Sequence, residues 1–178
     1  MIEILKNRIK KGVVTMPAAD ILNSRAESIE TIGKELKVEI LKKFGRSFHI
    51  REVDTGSCGG CESELISMTN PLYDVQRFGI DFVASPRHAD ALLVTGPVSK
   101  NMKLALKKTY DAMPAPKIVI TLGNCALDGW VFKGSYYIEG GVKNILPVSV
   151  HIPGCPPEPI EIIKSLLTFL VPFGKSNL

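Results

Sequence analysis

The residues of this chain with the clearest chemical potential are its four cysteines, Cys58, Cys61, Cys125 and Cys155. Four thiolates can hold a 4Fe–4S cluster, hold one tetrahedral zinc ion, or form two disulfides. The first two cysteines form a C-x-x-C pair, whereas the other two stand alone at distant points of the sequence. Structural zinc modules usually use two such pairs, so the pattern favours a cluster, with zinc and inert or redox-active thiols as alternatives.

The surroundings of the cysteines support the same interpretation. Pro156 follows Cys155, as a proline often follows the last cysteine of ferredoxin-like sequences. Glycines flank every cysteine and allow backbone N–H groups to approach sulfur closely; they stand at positions 56, 59, 60, 123 and 154. Charged residues are scattered among residues 1–11, so these residues lack the uninterrupted apolar stretch of an export signal. We therefore expect a cytoplasmic protein, and disulfides are uncommon in the cytoplasm.

The composition is that of an ordinary globular protein. The chain has 178 residues, of which 45% are hydrophobic and 22% charged, with a formal net charge of +4. This balance excludes disordered, collagenous and coiled-coil chains, and the charge is too small and scattered to predict a nucleic-acid partner. Glu161 and Lys164 interrupt the most apolar stretch, residues 159–173, so no membrane-spanning helix is predicted.

The pattern of apolar residues predicts an α/β fold. We expect strands at 48–54, 81–84, 91–95, 118–122 and 148–152, and helices at 61–68, 101–113 and 159–170. This alternation is typical of a doubly wound, mostly parallel sheet. Residues 18–44 predict one or two amphipathic helices, and residues 12–17 a short extended segment. An N-terminal arm and helical extension over residues 1–45 would therefore precede a cluster domain at 46–178.

This fold would bring the cysteines together. Ligands of such sheets bind beyond the carboxyl ends of the strands. Cys58 and Cys61 follow the first predicted strand, Cys125 follows the fourth and Cys155 follows the fifth. Residues 95–97 end the third strand at the same edge, where they would line a cluster pocket or simply form a tight turn.

Four stretches of the sequence resemble a known family: VDTGSCGGCESEL, YDVQRFGIDFVASPRHADALLVTGPV, ITLGNCALDGW and VHIPGCPPEPIEII. They are similar to the small subunit of group 4 membrane-bound nickel–iron (NiFe) hydrogenases such as formate hydrogenlyase, and to the cluster-bearing B-type subunit of respiratory complex I. The resemblance covers residues 46–170. It implies a flavodoxin-like fold that holds one 4Fe–4S cluster through Cys58, Cys61, Cys125 and Cys155.

The resemblance also implies the partners. An electron-transfer subunit of this kind would pass electrons between a ferredoxin-like iron–sulfur subunit and a large catalytic subunit, expected to carry a NiFe centre. Membrane-arm subunits would hold the complex at the inner face of the cell membrane. No bond chemistry is assigned to this chain.

The first cysteine motif separates two branches of the family. The B-type subunits of complex I have two adjacent cysteines there, whereas this chain has the hydrogenase-like pair separated by Gly59 and Gly60. Gly59 and Ser63 depart from the expected form C-N-G-C-(D/E)-I-E, which indicates a divergent branch in which some relatives keep the cluster and lose nickel. The alternative is a B-type subunit of a quinone or sulfur-reducing oxidoreductase.

Several polar and aromatic residues are secondary candidates. Glu62 and Glu64 follow the cysteine pair at a helix start, where the helix dipole stabilises acidic residues. Glu64 matches a carboxylate position of the family and is a candidate proton relay. Arg87, His88 and Asp90 also match the family pattern, and we expect an Asp–Arg pair to hold this turn; a place for Arg87 at the subunit interface is the alternative.

The remaining candidates concern the core and a partner surface. His49 and His151 are expected to be satisfied histidines within strands rather than metal ligands. An aromatic loop follows Cys125 and is a candidate interface; it contains Trp130, Phe132, Tyr136 and Tyr137.

Overall fold

The structure, a computed structural model, describes residue 6 and residues 18–173. It contains five strands: β1 (Phe48–Asp54), β2 (Ile80–Phe82), β3 (Ala91–Thr95), β4 (Ile118–Leu122) and β5 (Val150–Ile152). Its α-helices are α1 (Ala18–Phe44), α2 (Gly60–Met68), α3 (Lys100–Ala112), α4 (Asn124–Asp128) and α5 (Pro159–Phe173). The extended segment expected at residues 12–17 lies outside the described residues.

The five strands form one sheet in the order β2-β1-β3-β4-β5, and every neighbouring pair is parallel. This is the strand order of flavodoxin-like folds, so the predicted fold class is confirmed. Every residue of β3 and β4 is buried, because helices cover both faces of the sheet. One face packs against α1, α2 and α5, and the other packs against α3 and the segment around Val142.

Residues 18–44 form one continuous helix, rather than two. Ile29, Leu36 and Ile40 of α1 are buried in the same apolar cluster as residues of β1 and α5. The division of the chain at residues 45 and 46 stays a prediction. Within the described residues, no helix is both long and apolar enough to cross a membrane.

The turn before β3 differs from the expectation. Asp90 accepts two hydrogen bonds from the Arg46 guanidinium, at 2.9 and 2.7 Å, and does not pair with Arg87. Arg87 and His88 are exposed. The predicted Asp–Arg pair therefore exists with another arginine, because the end of α1 brings Arg46 beside the amino end of β3.

Candidate metal centre

All four cysteines line one pocket at the carboxyl edge of the sheet. The pocket holds about 360 Å³ of space not filled by atoms, its open mouth included. Gly96 and Pro97, which follow β3, complete its wall together with Phe132 from the aromatic loop. The predicted convergence of the cysteines is thus present in the structure, and two residues of the 95–97 turn belong to the pocket.

The loop that carries the cysteine pair is held by short polar side chains. Asp54 accepts hydrogen bonds from the backbone N–H groups of Gly56 and Ser57 at 2.8 and 2.7 Å through Oδ1. The buried Thr55 hydroxyl donates to the carbonyl of Thr95 at 2.8 Å, which ties the end of β1 to the end of β3. α2 begins immediately afterwards and carries Cys61 in its first turn.

The loops after β4 and β5 are held to each other. Asn124 donates its backbone N–H to the carbonyl of Gly154 at 2.9 Å, and its side-chain oxygen accepts from the N–H of Gly154 at 3.1 Å. This reciprocal pair fixes the separation of the adjacent Cys125 and Cys155. Asn124 was not a sequence candidate, because a single asparagine beside a cysteine gives no signal of this cross-loop contact.

Gly123 shows how tightly the pocket is built. Its φ is 81°, and a Cβ placed there would lie 2.7 Å from the Sγ of Cys61. Any side chain at this position would displace the cysteine sulfur, so glycine is required both by the backbone conformation and by the sulfur.

The thiols are free, and two of them are partly buried: Cys61 and Cys125. Burial raises the pKa of Cys61 to about 12, with further contributions from Glu62 and the other three cysteines. Burial also raises the pKa of Cys125, followed by the charges of Cys155 and Cys58. Four thiolates would therefore repel one another in this pocket. A bound cationic centre would allow all four thiols to lose their protons.

Two kinds of metal centre use four cysteine thiolates, and they place the sulfurs differently. Four sulfurs on one zinc ion lie only about 3.8 Å from each other, as follows from tetrahedral bonds of about 2.3 Å. Among the described residues, no three cysteine, histidine, aspartate or glutamate side chains are grouped so that they could hold one metal ion. A 4Fe–4S cluster binds each thiolate through a different iron and needs wider spacing. The donor set, four free thiols around one pocket, fits such a cluster.

The histidine candidates lie elsewhere and are already hydrogen-bonded. The Nδ1 of His151 lies 3.0 Å from the Thr121 hydroxyl, and the Nδ1 of His49 lies 3.1 Å from the carbonyl of His88. Neither histidine lines the cysteine pocket.

Glu64 lies partly buried on α2, and it is not among the residues that line the pocket. Its role as a proton relay stays a prediction. The carboxylate that the structure singles out is instead Glu62, both of whose oxygens are buried. From the sequence, Glu62 is only an acidic residue at a helix start, because its burial depends on how α2 packs against β1 and β2.

The aromatic loop extends from the pocket to the surface. Phe132 touches the pocket, and its neighbours Trp130 and Tyr136 are 45% and 87% exposed. Large exposed aromatic side chains beside a functional pocket are typical of an interaction surface, so the interface expectation stays open as a prediction.

Comparison with known proteins identifies relatives in respiratory and hydrogen-metabolising complexes. Formate hydrogenlyase subunit 7 of Escherichia coli is 46% identical over 70% of this chain, a match that spans about half (49%) of that subunit. The probable membrane-bound hydrogenase subunit mbhJ of Pyrococcus furiosus is 43% identical, over 77% of this chain and 82% of its own length. The B-type subunit of NADH-quinone oxidoreductase from Bacteroides thetaiotaomicron is 37% identical, over 84% of this chain and 80% of its own length.

Solved structures agree with the fold. A chain of the membrane-bound sulfane sulfur reductase, an archaeal respiratory membrane complex, is 27% identical and superposes with a TM-score of 0.65, over 74% of this chain and 73% of that chain. A chain of an NAD⁺-reducing NiFe hydrogenase shares the fold at 19% identity, with a TM-score of 0.53 over 71% of this chain and 93% of that chain. The family model described as the 20 kDa subunit of NADH ubiquinone oxidoreductase matches residues 58–169, from the first cysteine into the last helix, and the chain belongs to this family.

Proposed function

We propose that this chain is the electron-transfer subunit of a membrane-associated oxidoreductase complex and holds one 4Fe–4S cluster through Cys58, Cys61, Cys125 and Cys155. The observation that carries the proposal is that four free cysteines, delivered by three loops of one sheet edge, line a single pocket. Membership of a family of oxidoreductase subunits supports it.

The cluster supplies a one-electron carrier when it is bound. The chain supplies the thiolates, fixes their spacing through the Asp54 and Asn124 contacts, and limits access of water with Pro97, Phe132 and Pro156. Burial and hydrogen bonds to the sulfurs tune the reduction potential of such centres. Cys61 and Cys125 contribute partly buried ligands, and Cys58 and Cys155 contribute exposed ones.

The exposure of Cys58 and Cys155 places one side of the pocket at the protein surface. A cluster there would lie within reach of redox centres in neighbouring subunits. We propose that a ferredoxin-like subunit exchanges electrons with this cluster and that a large catalytic subunit with a NiFe centre receives or supplies them. Membrane-arm subunits would hold the complex at the inner face of the membrane, where this chain would be peripheral.

A second candidate is a B-type subunit of a complex without nickel, which reduces quinone or sulfur. It is supported by the relative from Bacteroides thetaiotaomicron and by the structural likeness to a sulfane sulfur reductase. The separated pair Cys58 and Cys61 favours the hydrogenase type, because the resemblance associates adjacent cysteines with the B-type subunits of complex I.

The test is the metal content of the complex, purified anaerobically through a tag on this chain. One 4Fe–4S cluster should give four irons attributable to this subunit, a visible absorption that bleaches on reduction, and a paramagnetic reduced state. Nickel in a co-purifying large subunit supports the hydrogenase type, and iron without nickel supports the second candidate. Zinc without iron in this chain would end the electron-transfer proposal.

A further inference from the structure

A second cavity lies beside the cysteine pocket, between β1, the end of β2 and α2. We call it the carboxylate groove; it holds about 840 Å³ of space not filled by atoms, its open mouth included, and is lined chiefly by Arg51, Glu52, Glu62, Ile66, Phe82 and Val83. Glu62 directly follows Cys61, so one end of the groove borders the proposed cluster ligands. No residue of the groove except Glu62 was a candidate from the sequence.

Glu62 has no partner in the described part of the chain. Both of its carboxylate oxygens are buried, and neither accepts a hydrogen bond. Burying a carboxylate without a donor or a cation is costly, since the charge loses its hydration and gains nothing in return. The first-turn position in α2 offsets only part of this cost through the helix dipole.

Glu52 adds a second, poorly satisfied carboxylate to the same groove. Among the described residues, its one hydrogen-bond donor is the Thr95 hydroxyl, at a long 3.3 Å. Burial raises the pKa of Glu52, and the negative charge of Glu62 contributes to the shift. The two carboxylates therefore repel each other and share a need for positive charge.

Arg51 does not meet that need. Its Nε is buried and has no hydrogen-bond partner, although Arg51 lies close enough to lower the pKa of Glu52 slightly. The groove thus contains unsatisfied donors and acceptors that do not pair with one another.

The walls of the groove are apolar. Ile66 on α2 is 70% exposed, and Phe82 and Val83 are partly exposed on the opposite wall. An exposed isoleucine beside unpaired buried charges is unusual for a surface that faces only water. The combination suits a protein segment that brings one cation between apolar side chains.

We propose that the carboxylate groove receives a lysine or arginine side chain of a partner subunit, carried on an apolar segment, and that this cation pairs with Glu62 and Glu52. The inference rests on the proposed function only for the identity of the partner, the large catalytic subunit. Docking would also cover Ile66 and shield the Cys61 side of the cluster from water.

The experiment compares two groove variants, Glu62→Gln and Glu52→Gln, with the control Glu161→Gln. Glu161 is also an acidic residue in the first turn of a helix, but it is exposed on α5. Each complex is purified anaerobically through the tag on this chain and washed with rising salt while the retained large subunit is quantified. The groove variants, singly and together, should lose the large subunit at lower salt, with about a tenfold or larger fall in affinity, and the control should not.

The melting temperature of the full chain without partners separates docking from an internal structural role. If Glu62 lacks a partner in the chain, Glu62→Gln leaves this temperature unchanged or raises it, because an unpaired buried charge has been removed. A fall in melting temperature would show an internal partner and overturn the proposal, as would wild-type salt resistance of the double variant.

Iron analysis of every preparation keeps this proposal distinct from the proposed function. Iron-loaded variants that retain the large subunit normally would overturn the groove proposal alone. An iron-free wild-type complex would overturn the proposed function, while selective loss of an identified subunit from the groove variants would still support cation docking.

Discussion

At the amino edge of the sheet, side chains join the elements to each other. Arg46 donates through both terminal nitrogens to Asp90, whose Oδ2 also accepts from the backbone N–H of His49 at 2.8 Å. At the carboxyl edge, backbone groups and the small side chains of Asp54, Thr55 and Asn124 hold the loops. The four thiols there form no disulfide.

The two edges differ in whether their functional side chains have partners within the chain. At the amino edge, the carboxylate of Asp90 is satisfied by Arg46 and by the N–H of His49, so we expect these contacts to contribute to folding. The carboxyl edge fixes its loops firmly and leaves its reactive side chains for something that binds there. Changes at the amino edge should therefore alter stability, and changes at the carboxyl edge should alter what the protein binds.

The largest expected effect is at the carboxyl edge, in Cys125→Ser and Cys155→Ser. A hydroxyl is a much poorer ligand for iron than a thiolate, so each variant should lose or strongly alter the cluster. Iron content and the electron paramagnetic resonance spectrum of the reduced complex measure this. Asn101→Ser, on the exposed side of α3, introduces the same residue away from the pocket and should leave both unchanged. Unaltered spectra in both cysteine variants would remove these two ligands from the assignment.

The next largest effect is expected for Gly123→Ala. The added Cβ would lie 2.7 Å from the Sγ of Cys61, and the backbone has a φ of 81° that alanine rarely adopts. Strain of about 1–3 kcal/mol is expected, together with a loss of iron because the sulfur must move.

The matched control for this variant is Gly134→Ala. Gly134 has a φ of 86° but nothing within 4 Å of its added Cβ. It should lower the melting temperature without changing the iron content. Equal iron content in the two variants would show that the contact of Gly123 with Cys61 does not shape the site.

The central strands could be predicted because each of them pairs with a strand on both sides, and every residue of β3 and β4 is buried. The predicted bounds of β1, β3 and β4 coincide with the observed ones, since apolar runs between turn residues define strands flanked on both sides. The bounds of the outer strands were predicted less accurately: β2 spans Ile80–Phe82 where 81–84 was expected, and β5 spans Val150–Ile152 where 148–152 was expected. They pair on one side only, so contacts of the neighbouring strand set their ends.

The candidate site was predictable where its residues are chemically distinctive. Four cysteines after three predicted strands indicate one metal site, because parallel strands bring their carboxyl ends to a common edge. The single-turn helix α4 was missed, since five residues between Gly123 and Gly129 show no helical periodicity. The isolation of Glu62 was also missed, because only the packed structure shows that no donor reaches it.

At the amino edge, Asp90→Asn should destabilise the chain and leave the cluster intact. The substitution weakens two charge-assisted hydrogen bonds from Arg46, at 2.7 and 2.9 Å, and the cost should be about 1–2 kcal/mol because Arg46 is partly exposed. Chemical denaturation of the full chain measures it. The control Glu139→Gln removes a single exposed pair with Lys103 and should have a smaller effect. A loss of iron in Asp90→Asn would contradict the separation of the two edges.

The smallest effect is a pH dependence at His151. Burial lowers its pKa below the ordinary value of 6.5, with the Thr121 contact acting in the opposite direction. The folded chain therefore favours the neutral ring, and this contribution to stability is present above the unfolded pKa and is lost as the pH falls below about 6.5. His151→Gln removes the titration, so its melting temperature should fall less than that of the wild type between pH 7.5 and 5.5. His88→Gln, at an exposed histidine, is the control, and its melting temperature should change with pH as that of the wild type does. If all three proteins show the same change of melting temperature with pH, the fold does not favour the neutral His151 ring.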